Sequence, residues 1–302
     1  MALVSRFLAR VARTTGVLAA GLALAGLAQA QLSYFTATLN GGQEVPPTPS
    51  TGTGVGCFVF DASTNIISYN ITYAGLTSAE TAAHLHQAAA GVNGPVIVPL
   101  PLGTPKTGSA PLTAAQAAAL MAGNVYTNIH TQAFPGGEIR GQLVLTPATT
   151  AFCFGDGSSG PCPCGNNSTP GNNQGCLHSG GVGGKLVASG ATSLACDSLQ
   201  LCASNLLGSN SIFIQGSTSP IAPVPFGDGL RCIGGTLKRL GIFGINGGNV
   251  CVGGAGTVAI HTAGGITAPG SYGYQVYFRD PAAYCTAFTY DITNAIQATW
   301  VP

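Results

Sequence analysis

Apolar and polar residues alternate with a period of two along residues 32–39, 54–60, 66–73, 96–100, 125–131 and 138–145. That period belongs to a strand with one face buried and the other turned outward. Turn-forming residues separate the runs, which predicts an all-β sandwich or barrel for this half of the chain. One helix is expected among the strands, over residues 113–122. Thr113 and Gln116 make a capping box there, alanine fills the interior and Gly123 supplies the stop. Beyond residue 150, strand-like runs recur at 185–188, 198–202, 211–215, 231–240, 257–261, 273–278 and 295–301, again with Gly, Pro and Asn turns. They predict a second β-sandwich. The expected fold is all-β, with two β-sandwich-like domains, the first carrying one short helix and the second stapled by disulfides.

Composition narrows the function. Only 6% of residues are charged, against roughly a quarter in an average domain, while 45% are hydrophobic. Residues 1–30 start with Arg6, Arg10 and Arg13, continue through an apolar run at 16–27 and end on Ala28-Gln29-Ala30. This is the pattern of a secretory signal peptide cleaved after Ala30. Its apolar run is shorter than the roughly 18 residues of a membrane span. Removing the three arginines leaves seven basic against nine acidic residues, a net charge of −2. Nucleic acid is excluded as a partner, because nothing basic remains to neutralise phosphates. No transmembrane segment is expected after signal cleavage, and the mature protein is expected outside the cytoplasm, secreted or at the cell surface.

Ten cysteines suit an oxidising compartment. Nine lie beyond residue 150 and only Cys57 precedes it, which divides the chain into a signal peptide (1–30), a first domain (31–147) and a Cys-rich module (148–302). Residues 146–151 read as a short linker. Cys57, on an apolar strand, reads as a buried free thiol. The spacing C-x8-C-x-C-x11-C from Cys153 to Cys176 lacks the short pairs of structural zinc sites, so disulfides are expected. The favoured pairs are Cys153 with Cys162 and Cys164 with Cys176. Cys196 and Cys202 are too far apart to join each other on an extended segment. One of them is expected to pair with Cys251, and Cys232 with Cys285.

Candidate chemistry gathers in the first domain. On a strand, His84 and His86 leave the same face with Cα atoms roughly 6.5–7 Å apart. Tyr126, Asn128 and His130 likewise share a face, and Glu138, Arg140 and Gln142 share another. A His-x-His pair with a distant third histidine suits copper or zinc, with Glu138 or water completing the shell. The competing reading is a buried hydrogen-bond network of Asn128, the histidines and a Glu138–Arg140 cluster that fixes loop geometry. Both readings stand open at this level. A Glu44–Glu138 carboxylate pair for acid/base work ranks below them, since nothing places the two near one substrate.

The motifs Phe35-x-Ala37-x-Leu39, Gly42-Gln43-Glu44-Val45-Pro46-Pro47, His84-Leu85-His86, Gly94-Pro95-Val96, Tyr126-x-Asn128-x-His130-Thr131 and Gly137-Glu138-Ile139-Arg140-Gly141-Gln142-Leu143 follow one another in an order that resembles the CHRD family, over about residues 33–145. The resemblance implies a secreted β-sandwich domain. The glycine that the family carries shortly after His-x-His is displaced here to Gly91, which leaves the shape of that loop open. The His-x-His strand also resembles the start of the Cu/Zn superoxide dismutase pattern. That pattern needs further histidines and an aspartate, so a dinuclear site is not expected.

Phe226-Gly227-Asp228-Gly229-Leu230-Arg231-Cys232, with residues 274–281 and 293–300, resembles an uncharacterised C-terminal module of secreted bacterial proteins, implying an accessory or display role. Asp156 and Asp228, each between glycines, read first as turn formers and second as calcium ligands. His178 and His261 lack any companion nucleophile, and Arg279 with Asp280 reads as a local polar pair or a turn cap. No catalytic residues are expected. The leading expectation is a non-catalytic extracellular protein that contacts a protein or glycan. The second is a mononuclear copper or zinc protein using His84, His86 and His130, with Glu138.

Overall fold

Strands β1 (Leu32–Asn40), β2 (Thr53–Asp61) and β3 (Ile66–Ala74) are nine residues each and pair antiparallel in register. Phe35 faces Phe58, which faces Tyr69, and Phe60 faces Ile67, so one face of the sheet is continuously apolar. The computed structural model describes residues 32–302 except 255 and 283, and the signal-peptide expectation for residues 1–30 lies outside them. The chain continues through β4 (Glu80–His86), β5 (Val96–Pro99), β6 (Lys106–Pro111), α1 (Ala114–Met121), β7 (Tyr126–Thr131), β8 (Ile139–Gln142) and β9 (Val144–Leu145). The sheet runs β5-β4-β7-β8-β1-β2-β3-β6, with β9 on β1. Phe35, Leu39, Phe58, Ile67, Ile71, Leu85, Ile129 and Ile139 close into one core, to which α1 adds Ala117 and Leu120.

The helix is where the sequence places it. Thr113 accepts the Gln116 backbone N–H, Gln116 returns the bond to the Thr113 N–H, and Gly123 follows in the left-handed conformation. β6 had no alternating signal, because Lys106 is its one buried side chain among Thr, Gly and Ser. Lys106 is fully buried, with its ammonium on Glu80 and on the carbonyls of Pro101 and Gly103.

The second half contains β10 (Thr150–Phe152), β11 (Lys185–Ser189), β12 (Gln200–Ser204), β13 (Asn210–Thr218), β14 (Val224–Phe226), β15 (Gly229–Arg231), β16 (Gly234–Gly244), β17 (Val250–Gly253), α2 (Ile260–Gly264), β18 (Gly270–Arg279), β19 (Tyr290–Ile292) and β20 (Ala295–Trp300). A sheet ordered β10-β20-β18-β13-β16, with β19 on β18, packs against the three-stranded β11-β12-β17 sheet, and Leu186, Leu201, Val252, Phe213, Val276 and Trp300 fill the space between. The short β14–β15 hairpin stands beside them. Residues 257–261, expected as a strand, instead lead into α2. The carboxylate of Asp197, far away in sequence, accepts the His261 backbone N–H near the start of that helix, a cap that no local pattern reveals.

Disulfides join Cys57–Cys196, Cys153–Cys232, Cys162–Cys176, Cys164–Cys285 and Cys202–Cys251. Only the expectation that Cys251 takes Cys196 or Cys202 matches. The favoured Cys153–Cys162, Cys164–Cys176 and Cys232–Cys285 pairs are replaced, because the entry segment folds back onto β15 and onto the loop before β19. Cys57 is not a free thiol. It lies on the face of β2 opposite Phe58, away from the core, and binds Cys196.

Candidate metal centre

The outer face of β4, β7 and β8 carries the histidines. His84 is opposite Asn128, His86 opposite Tyr126 and Ala82 opposite His130, while Ala83, Leu85 and Ile129 point the other way into the core. Pleating thus places three imidazoles on one patch, as period-two reasoning requires. His84 Nδ1 lies 3.1 Å from His130 Nε2, and one ring nitrogen from each of His84, His86 and His130 falls within 4.8 Å of the others. Two nitrogens bound tetrahedrally to one zinc at ordinary bond lengths lie about 3.3 Å apart. The His84–His130 separation is close to that.

The far sides of two rings are fixed by backbone. His86 Nδ1–H donates to the Gly94 carbonyl at 2.9 Å, and His130 Nδ1–H donates to the Pro135 carbonyl at 2.9 Å. Because a carbonyl only accepts, each bond holds the tautomer in which Nε2 keeps its lone pair. Burial, reinforced by the neighbouring histidines, pushes the His84 imidazole below its usual range, and burial does the same to His86. Both rings are therefore neutral at pH 7, the form that binds metal. Asn128 lies 3.0 Å from His86 Nε2.

A column of stacked groups backs His86. The Tyr126 ring lies parallel to it with centroids 4.7 Å apart, and the Arg140 guanidinium sits 3.4 Å over the Tyr126 ring. Arg140 is buried and donates to the carbonyls of Ala89 and Val92 and to Asn93 Oδ1, while Gln142 donates to the Ala88 carbonyl. These bonds shape the loop that the displaced glycine left open, and Gly91 makes its turn at φ +76°.

Glu138 does not join the centre. Its oxygens accept from Ser50 Oγ, the Thr77 backbone and hydroxyl, and Thr131 Oγ1. Burial opposes its charge, but these four donors outweigh burial and hold the carboxyl below its usual range. A carboxylate saturated in this way ties the 48–50 and 77 segments to β7 and has nothing left for an ion. The expected Glu138–Arg140 cluster is likewise absent among the described residues, since each engages different partners.

Glu44 is the acidic residue that lies beside the patch. It is buried, next to Asn128 and Arg140, and Oε1 has no hydrogen-bond partner among the described residues. Burial pushes its carboxyl up to about 7, with Arg140 and Asn128 pulling partly the other way. Gly137, at φ +127°, makes room for it: a Cβ there would stand 2.4 Å from Glu44 Oε1. Glu44 and the carbonyls of Gly94 and Pro135 complete the surroundings of the histidines. The carbonyls carry no side-chain signal, so sequence reasoning had no means of finding them.

The family model of the CHRD domain matches residues 35–143, the span that contains nearly all of this sheet and all three histidines. Residues 35–143 form a CHRD domain. No curated protein and no solved structure matches the chain. The CHRD domain ends ahead of the cysteine-rich half, where four of the five disulfides lie and to which the fifth, Cys57–Cys196, ties it. The other histidines serve local structure. His178 Nε2–H donates to the Asn205 carbonyl, and His261 Nδ1 pairs with Asp197. Arg279 and Asp280 do not pair, because Arg279 donates to Thr289 while Asp280 accepts from Ser179 and, capping its own turn, from the Ala282 N–H.

Proposed function

We propose that the CHRD domain holds one copper or zinc ion through His84 Nδ1, His86 Nε2 and His130 Nε2, in a protein that works outside the cytoplasm. The convergence of three ring nitrogens, two of them on rings anchored through Nδ1 to backbone carbonyls, carries the reading. That is how proteins orient imidazole ligands and raise their basicity. Imidazole suits both ions, and three protein ligands leave a position for water or an exchanging ligand. A carrier or a centre of simple redox chemistry fits such a site. Five disulfides support the extracellular setting, since such bonds persist where the medium is oxidising. Contacts with an extracellular protein or glycan remain the second reading, favoured by the low charge of the chain.

The test is elemental mass spectrometry of the mature protein, purified without a histidine tag, beside the His84→Ala/His86→Ala variant. Copper or zinc near one equivalent, lost in a variant that keeps its circular dichroism spectrum, is the expected result. Wild-type protein that takes up neither ion after reconstitution would overturn the reading and return the histidines to a structural role.

A further inference from the structure

Asp228, Asp280 and Asp291 are all fully buried in the C-terminal half, yet the ion pairs among the described residues are Lys106–Glu80 and His261–Asp197 only. Buried carboxylates without a cation are costly, and proteins resolve the cost with donors, protons or a metal. Asp280 is resolved by donors, accepting from the Ser179 backbone and hydroxyl and from the Ala282 N–H. Asp228 and Asp291 are not. Asp228 Oδ1 accepts from the backbone and hydroxyl of Thr286, but Asp228 Oδ2 has no partner among the described residues. Asp291 Oδ1 accepts only from the Ile292 N–H, and Asp291 Oδ2 has no partner among the described residues.

Backbone packing sets the two residues next to each other. The Asp228 N–H donates to the Tyr290 carbonyl at 3.1 Å, docking the tip of the β14–β15 hairpin onto β19. Gly229 then lets the acid in: a Cβ there would stand 2.2 Å from Asp291 Oδ1, so Asp291 aims its carboxylate at the residue next to Asp228. Burial and the charges of Asp228 and Asp280 push the Asp291 carboxyl well above its usual range. Hard oxygen donors of this kind match calcium, which takes six to eight oxygens and accepts carboxylates, carbonyls and water together.

We infer that Asp228 and Asp291 form a calcium site between the β14–β15 hairpin and β19, using the carboxylate oxygens that no protein group satisfies. The ion would tie together the hairpin, β19 and the Thr286 segment beside the Cys164–Cys285 disulfide. The site is independent of the three histidines and stands or falls without them.

The test uses full-length mature protein stripped with EGTA. Calcium is expected to bind with one equivalent by calorimetry and to raise the unfolding temperature more than magnesium does. Asp291→Asn and Asp228→Asn should each weaken binding about tenfold or more. His84→Ala/His86→Ala should leave calcium binding unchanged. Terbium provides a readout on wild-type protein alone if a variant fails to fold, since Tyr290 is placed to sensitise its emission and calcium should quench that emission by displacement. Wild-type protein that neither binds calcium nor lights terbium would overturn the inference. So would an Asp291→Asn variant that keeps full calcium affinity. The first outcome, with Asp291→Asn as stable as wild type, would mean that Asp291 is simply held as a neutral acid.

Discussion

Cys57 and Cys196, 139 positions apart, are bonded to each other across the junction of the CHRD domain and the C-terminal half. Cys57 sits on the outer face of β2, so the bond fastens the back of one sheet to the loop ahead of β12. The Cys57→Ser/Cys196→Ser variant should lose about 2–4 kcal/mol of stability, because a long loop is no longer closed in the unfolded chain. Four disulfides remain in the C-terminal half. Calorimetry should therefore resolve two transitions, the CHRD domain melting first, and one unsplit transition at the wild-type temperature would contradict this account.

Acidification should release a metal from the histidine centre late. The imidazoles of His84 and His86 are held below their ordinary value of 6.5 by burial, so protons compete with metal only at lower pH. The same shifts favour the fold above pH 6.5, and that contribution is lost as pH falls through the depressed values. Metal occupancy followed by dialysis across pH 4–8 should show its midpoint below about 6.5. A midpoint above it would mean that the rings are exposed and ordinary.

Glu44 should make the protein less stable as pH rises. Its carboxyl is raised from 4.5 to about 7 by burial, so between those values the folded state keeps a proton that the unfolded state releases. Stability then falls through this window and stays lower above it. Glu44→Gln should remove that slope and gain about 1–2 kcal/mol at pH 8, once solvent screening is allowed for. Urea titrations at pH 5 and pH 8 decide the matter. An equal loss at both would show that Glu44 works as an anion.

Lys106 and Glu80 form a buried ion pair, so removing one partner should cost more than removing both. Lys106→Met strands the Glu80 charge and should destabilise the CHRD domain by about 3–5 kcal/mol. Lys106→Met/Glu80→Gln should recover most of that loss. A double variant no better than the single one would place the importance of Lys106 in its bonds to the carbonyls of Pro101 and Gly103.

Local pattern in the sequence determined most of the strands, the capped helix at Thr113 and the face shared by Tyr126, Asn128 and His130. Each depends on neighbours a few residues away, through the pleat of a strand or the reach of a cap. The His-x-His pair was legible for the same reason. Tertiary structure decided the rest. Glu138 was plausible as a ligand from its place after β7, but Ser50, Thr77 and Thr131 reach it from other parts of the chain and saturate it. The β6 strand, the α2 helix and four of the five disulfide pairings depend on a buried lysine, a remote aspartate and folded-back loops. Spacing cannot predict such contacts, because a cysteine or carboxylate takes the partner that the packed backbone brings within a few ångströms, whatever its distance along the chain.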